Sequence, residues 1–474
     1  MIGEPTRRFL AHLDDQDWSD TDLKARHATY KRYVSTSRIA LPEDDSLFAG
    51  HLLRRLLGVV RISWDYAEQT QDTMVVARRP VPSGGARYPI EGYVADGDRL
   101  YHYDPVHHEL ELVRVEDHPA APAGDPVVVL TAVFWRSGAR YGDFAYRLQC
   151  QETGALAAQA YAIAAEAGYS CVLHQRVDGS AMERRLGLDA EAEGVMAVLS
   201  LSRVSGPERS GDFAPGIGET AKRPTAQAGP QPSVARSLPY LLALHHAPRA
   251  GTGVLPPRPD SPVEEVISLP EPKPVQLYEE IAARVSAPAG FAPAPIGADQ
   301  LAELLSAATQ GYASDVPDTT AGPATCDLYV IVLRVDGIPQ GSYRYHRGLV
   351  PVGPWNAGVR PVGGRLPASL LALGEAAAAI LPVGDPLGGI EYFGDPWYRI
   401  QQIEAGLMVH RTTLAAMALG LQARIHSDFC TPRTDAALGL SDPSLRSLSA
   451  LFVGAAPRRT PIRWVARPNW KHPE

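Results

Sequence analysis

Basic runs are missing from this 474-residue chain, and with a formal charge of −8 a nucleic-acid or anionic-membrane surface has no electrostatic support. Cysteine is scarce. Cys150, Cys171, Cys326 and Cys430 stand far apart, with no CxxC pair and no His/Cys spacing that would make a zinc site. They read as buried thiols of a reducing compartment, and no metal is expected. No window approaches the roughly 18 to 20 apolar residues of a membrane span, and Met1–Arg8 lacks the apolar run of a signal peptide. A cytoplasmic protein follows as the expectation. At 45% apolar and 21% charged, a chain of this length can bury more than one core, so two domains are expected.

The second half can be laid over the first. Tyr146-Arg147, Glu152-Thr153-Gly154 and Gly168 recur as Tyr398-Arg399, Glu404-Ala405-Gly406 and Gly420, with a constant offset of 398 − 146 = 252. Tyr101-His102-Tyr103 recurs as Tyr343-Arg344-Tyr345, offset 343 − 101 = 242. In each half a branched and aromatic run (Tyr93-Val94; Leu328 to Leu333) meets a turn dipeptide (Asp96-Gly97; Asp336-Gly337) that closes a hairpin into the Tyr-x-Tyr strand. Then comes a long Ala- and Leu-rich, proline-free helix, Tyr146 to Ala167 or Tyr398 to Leu419, stopped by glycine. Such order in both halves reads as a tandem duplication. The organisation expected is an arm over 1–45, a first domain over 46–204, a Pro/Gly-rich linker over 205–264 and a second domain over 265–474. Within the arm, Trp18 to Tyr33 is expected to be helical, and within the linker Leu238 to Leu244 is expected to be a docking helix turn.

Pro82-Ser83-Gly84-Gly85-Ala86-Arg87-Tyr88-Pro89 stands just ahead of Ile90 to Val94, and its adjacent glycines expose backbone amides that can approach a flat ligand. Together with Tyr101 to Pro105 and Ala139 to Arg147, this run resembles the SagB-type azoline dehydrogenases of the nitroreductase superfamily. The resemblance implies an α+β fold of two tandem nitroreductase-like domains forming an intrachain pseudo-dimer, with FMN held by pieces of both halves. It also implies oxidation of thiazoline or oxazoline rings in a ribosomally made peptide to thiazole or oxazole. The partners implied are the azoline-containing precursor peptide and a cyclodehydratase of the same pathway; further homo-oligomerisation is open.

Carried over residue by residue, the resemblance makes Pro82, Ser83, Gly84 and Gly85 the flavin cradle. Arg284 and Ser286 match a phosphate pattern whose middle arginine is here Val285, and Arg458 and Arg459 resemble a closing basic pair that also reaches phosphate. Ile425 and Ser427 lie in the loop facing the ring, with His426 as a second candidate base. The Pro-Ser-Gly-Gly run has Thr319 to Pro323 in its place in the second half, and Arg54-Arg55-Leu56-Leu57 matches the phosphate pattern poorly, so one intact site and one decayed site are expected.

The family's Lys-Tyr pair, which removes a proton from carbon while hydride passes to flavin, is Arg140-Tyr141 here. A guanidinium stays protonated near neutral pH, so Arg140 holds a substrate carbonyl or steadies a phenolate and Tyr141 becomes the expected base. Each residue also has a plainer reading. The glycine pair is a turn, Arg284 and Ser286 are a solvated arginine and a helix cap, Arg458-Arg459 are a solvated pair, and Tyr141 is a packing aromatic. Two other functions stay open. One is an NAD(P)H-dependent nitroreductase-like flavin reductase, and the other a non-catalytic peptide-binding scaffold.

Overall fold

The computed structural model describes residues 2–15, 30–34, 36–44, 46–67, 72–115, 127–204, 225–227, 237–249, 251, 253–256, 266–286, 290–353 and 372–457. The chain divides into an amino unit built on Arg8–His246 with Ala313–Asp315, and a carboxyl unit built on Met1–Arg7, Ala247–Tyr312 and Val316–Pro461.

In the amino unit the antiparallel sheet runs Arg38–Ala40, Glu109–Val115, Arg99–Asp104, Ile90–Asp96, Val127–Val133, Glu193–Arg203, Tyr169–His174. In the carboxyl unit it runs Leu349–Gly353, Gly341–Tyr345, Asp327–Val332, Ala378–Gly384, Leu451–Ala455, Leu421–Ile425. Apart from the edge strand Arg38–Ala40 in one sheet and the short strand Arg446–Ser447 beside Ala378–Gly384 in the other, the orders coincide, so the repeat read from two short motifs extends over six strands of each sheet.

Each sheet packs a helix of the same length at the same place in the repeat, Ala145–Glu166 and Trp397–Ala418. Most of their residues are buried, polar ones such as Gln149, Gln401 and Glu404 included, so neither helix has a solvated polar face. Gly168 and Gly420 end them with φ of 76° and 72°, a left-handed conformation that costs glycine nothing. Ahead of each helix stands a Gly-Asp turn, Gly142-Asp143 and Gly394-Asp395, at the same offset of 395 − 143 = 252. Both aspartates are buried and cap another segment. Asp143 accepts from the Leu241 amide at 2.6 Å, and Asp395 from the Gly3 and Thr6 amides at 2.8 and 2.9 Å.

Leu238 to Leu244 docks as expected, as the helix Pro239–His245 with Leu241 fully buried. The arm departs from expectation. Residues 16–29 lie outside the described residues, Arg32–Val34 is a strand paired with Thr225–Gln227, and the helix is Glu4–Asp15. Alternation in Arg32-Tyr33-Val34 suits a strand, and the Lys31 and Tyr33 amides are taken by Glu91 and Glu111 at 2.9 Å each, contacts remote in sequence. Among the described residues no helix is long and apolar enough to cross a membrane.

Candidate cofactor site

Ser83 to Tyr88 folds into a single tight turn, Gly84–Ala86, in which Gly85, Ala86 and Tyr88 have φ of 58°, 54° and 49°. A left-handed Ala and Tyr are costly, and such residues persist only where their surroundings hold them. The holding bonds are visible. The Ala86 and Arg87 amides donate to the Ser83 and Gly84 carbonyls at 3.0 and 3.2 Å, and the Tyr88 amide donates to Ser83 Oγ at 2.8 Å. The Gly84 and Gly85 amides find no acceptor among the described residues. Gly85 is exposed and Gly84 partly so. Two neighbouring N–H groups at a left-handed turn make a concavity for an electron-rich ligand, so the residues present fit the carbonyl and ring-nitrogen edge of a flavin.

Tyr141 and Arg140 close the back of this turn. A Cβ built on Gly85 would lie 2.6 Å from Tyr141 Oη and 3.4 Å from Arg140 Cδ; one on Gly84 would lie 3.0 Å from Leu148. Glycine is therefore demanded twice, by φ and by close approach. Tyr141 ends the helix Phe134–Tyr141, and Gly142 at φ 54° turns the chain into the core helix. The Arg140 guanidinium carbon sits 5.5 Å from the Tyr141 ring centre, a cation–π distance. Pro82, Ser83, Gly84, Gly85, Arg140 and Tyr141, picked from two separate motifs, thus come together in one unit.

Beneath the turn lies a buried ionic cluster that the motifs did not announce. Arg136 donates to the Tyr88 carbonyl at 2.7 Å and pairs with Glu91 at 2.6 Å, while Arg79 donates to the Ile90 carbonyl at 2.7 Å and stands 3.8 Å from Glu91. Burial by itself would raise the Glu91 carboxyl, but Arg136 and Arg79 outweigh it and hold it far below the carboxylate range. His102, which faces Tyr93 across two strands, lies 2.9 Å from Glu111 and 3.4 Å from Glu91. Burial disfavours its charge, yet hydrogen bonds to the two carboxylates raise its pKa overall. Further along, Lys31 reaches Glu193 at 2.6 Å and Tyr93 Oη at 2.8 Å. His102 sits inside the Tyr-x-Tyr motif, whose alternation already puts it opposite the two tyrosines. Its carboxylate partners come from other strands, and no spacing signals them.

In the carboxyl unit Arg284 is buried, not solvated as its plainer reading had it, whereas Val285 is exposed. Arg284 donates to Ser286 Oγ at 3.4 Å. It also neighbours His410 on the core helix, whose pKa burial and then this guanidinium push down to about 3. Ile425, His426 and Ser427 follow one another at the end of Leu421–Ile425, where the His426 amide donates to the Ala450 carbonyl at 2.8 Å. The His426 ring stacks on Phe452 with centroids 4.4 Å apart, and burial drives its pKa to about 4, Asp428 opposing and Arg424 adding to the fall. It is a neutral imidazole near pH 7 and would hold an abstracted proton weakly. Arg458 and Arg459 lie outside the described residues. Arg54 to Leu57 forms the end of the helix Phe48–Leu57.

The core-helix glutamates, Glu152 and Glu404, occupy matching positions and differ. Glu404 accepts from Tyr312 Oη at 2.7 Å, the Ala324 amide at 2.8 Å, and the Thr325 amide and hydroxyl at 2.6 Å each. That ties down the stretch after Thr319 to Pro323. Glu152 instead takes a hydrogen bond from Ser83, and burial pushes its carboxyl up to about 8, against Ser83, Arg79 and Arg136.

No protein-family model matches the chain. Trifolitoxin-processing protein TfxB of Rhizobium leguminosarum bv. trifolii is 36% identical over 72 residues, 12% of this chain, and the chain covers 19% of that protein's length. The crystal structure of an Anabaena variabilis protein named as a nitroreductase superposes with a TM-score of 0.70 at 20% identity, over 96% of this chain and 99% of that one. The E. coli microcin synthetase McbBCD complex with truncated pro-MccB17 aligns over 42% of this chain and 82% of its own, at 22% identity and a TM-score of only 0.27. The sheet orders and the near full-length superposition agree with the resemblance carried by the sequence motifs: this chain has the nitroreductase fold, in tandem.

Proposed function

We propose that this protein is an FMN-dependent azoline dehydrogenase, oxidising thiazoline or oxazoline rings of a ribosomally made peptide to thiazole or oxazole. The observation that carries the reading is the turn at Ser83–Tyr88, with two unused amides in front and Tyr141 and Arg140 directly behind. Bound FMN would supply the hydride acceptor. The protein's own groups do the rest. Pro82 to Gly85 seat the ring edge, Tyr141 takes the ring-carbon proton, and Arg140, permanently charged, steadies the phenolate form of Tyr141. In the carboxyl unit Arg284, Ser286, Ile425 and Ser427 are proposed as cofactor contacts, as are Arg458 and Arg459, with His426 as a weaker base.

The precursor peptide and a cyclodehydratase are the partners this reading calls for. The short match to a protein named for trifolitoxin processing supports it, as does the nitroreductase fold. The purified protein is expected to be yellow, with one equivalent of FMN per chain. Two equivalents would contradict the expectation of one intact site, a colourless protein that still binds the peptide would favour the scaffold, and rapid bleaching by NADPH would favour a reductase.

A further inference from the structure

We propose that the linker helix Pro239–His245 splints the elbow Tyr141-Gly142-Asp143, and that Leu238, just ahead of that helix, is a positioning residue that holds Arg140 and Tyr141 against the Ser83–Tyr88 turn. The part of Tyr141 as a base rests on the function proposed above.

The elbow needs a brace. Gly142 takes φ 54° between the helix Phe134–Tyr141 and the core helix, a conformation that glycine reaches at little cost and, having no side chain, does nothing to hold. The linker segment meets the elbow and its flanking helices at three buried points. Leu238 packs on Gly138, one helical turn before Tyr141: a Cβ built there would lie 2.5, 3.2 and 3.4 Å from Leu238 Cδ1, Cδ2 and Cγ. The Leu241 amide donates to Asp143 Oδ1 at 2.6 Å. The other oxygen of that carboxylate lies 3.3 Å from Nε2 of His12, whose ring stacks on Tyr240 with centroids 4.3 Å apart. His245 closes the far end. Its Nδ1 lies 3.3 Å from Tyr146 Oη in the first turn of the core helix, and its ring centre 4.9 Å from that of Phe134, the first residue of the helix that ends in Tyr141.

The anchorage is itself fixed. His245 Nε2 faces Glu183 Oε1 at 3.3 Å, the same oxygen accepts the Val195 amide at 3.0 Å, and the imidazole fills the space over Gly194 that a Cβ would occupy. One short helix thus touches both arms of the elbow and its bend: Phe134 and Gly138 on one arm, Tyr146 on the other, Asp143 between them. Held so, Tyr141 Oη and Arg140 Cδ reach the back of Gly85. Bracing at this scale matters because a displacement of about 1 Å at a reacting group can cost about 10²-fold in rate.

The test uses the full chain as wild type, Leu238→Ala, Gly138→Ala and the double variant, in which the methyl added at position 138 takes part of the space the leucine leaves. The readouts are FMN occupancy, kcat of azoline oxidation, and the fluorine resonance of 3-fluorotyrosine in place of Tyr141 in the protein as purified. Each single variant is expected to hold FMN as wild type does, to lose about tenfold or more in kcat and to shift or broaden the resonance, while the double variant regains part of both. A resonance that stays in place in the single variants while their melting temperature falls gives the helix a structural role only and overturns the proposal. A double variant no better than the worse single variant overturns it too. Where Leu238→Ala does not fold, Leu238→Val takes its place. If wild type neither binds FMN nor oxidises an azoline, the function proposed above falls, and the resonance alone decides whether the helix positions Tyr141: moved by the single variants and restored in the double it upholds the splint, and unmoved it refutes it.

Discussion

Arg136 and Glu91 meet at 2.6 Å with both side chains sealed from water, and the same guanidinium donates to the Tyr88 carbonyl at 2.7 Å. A buried ion pair of the sheet therefore supports the strained turn of the candidate site. Removing one member strands the other. Glu91→Ala leaves Arg136 and Arg79 without their shared counterion, and the expected cost is about 3–5 kcal/mol in urea unfolding followed on the amino unit. Because Glu91 is held below its ordinary value of 4.5, its stabilisation is present above that pH and is lost as pH falls. Acid unfolding should thus be steeper in wild type than in Glu91→Gln, and equal acid profiles would contradict the pairing.

Two glycines with almost the same backbone separate strain from site chemistry. Gly85 and Gly97 have φ of 58° and 54°, but a Cβ on Gly97 meets nothing within 4 Å, whereas one on Gly85 would strike Tyr141 Oη. Alanine at either position should cost about 1–2 kcal/mol for its left-handed conformation. Gly85→Ala alone is expected to weaken flavin binding and turnover, read by FMN titration and azoline oxidation. A Gly85→Ala protein that binds and turns over as Gly97→Ala does would remove the turn from the site.

Tyr141→Phe keeps the ring that packs behind the turn and deletes the hydroxyl. FMN occupancy should be unchanged while azoline oxidation drops by about 10²–10⁴, the range for loss of a general base. Full-speed turnover in that variant takes Tyr141 out of the chemistry, and loss of flavin instead would give it a packing role.

The repeat was legible because local signals carried it. Glycine stops, turn dipeptides and long proline-free helices depend on nearest neighbours in the chain, and their order in both halves implied a duplication, which the matching sheet orders of the two units bear out. The turn at Ser83–Tyr88 was legible for the same reason: adjacent glycines take a left-handed φ near 58° at least cost, here with a phenol at the back. The arm was misread where its neighbours decided the matter, since Lys31 and Tyr33 are drawn into an extended segment by Glu91 and Glu111, some 60 and 78 positions away. The plainer reading of Arg284 as a solvated arginine failed because no local sign tells that the chain buries it.

Length, charge, the duplication, the strand and helix order and the glycine turn were determined by the amino-acid sequence alone, because each rests on steric and hydrophobic rules that act within a few residues. Only tertiary structure decided that Arg140 and Tyr141 stand behind Gly85, that Arg136 and Glu91 sit beneath Tyr88, and that matching glutamates at 152 and 404 differ in their partners. The physical reason is that charge in a low-dielectric interior is governed by which groups lie within a few ångströms, and the sheet and core helix set those distances between residues far apart in the chain.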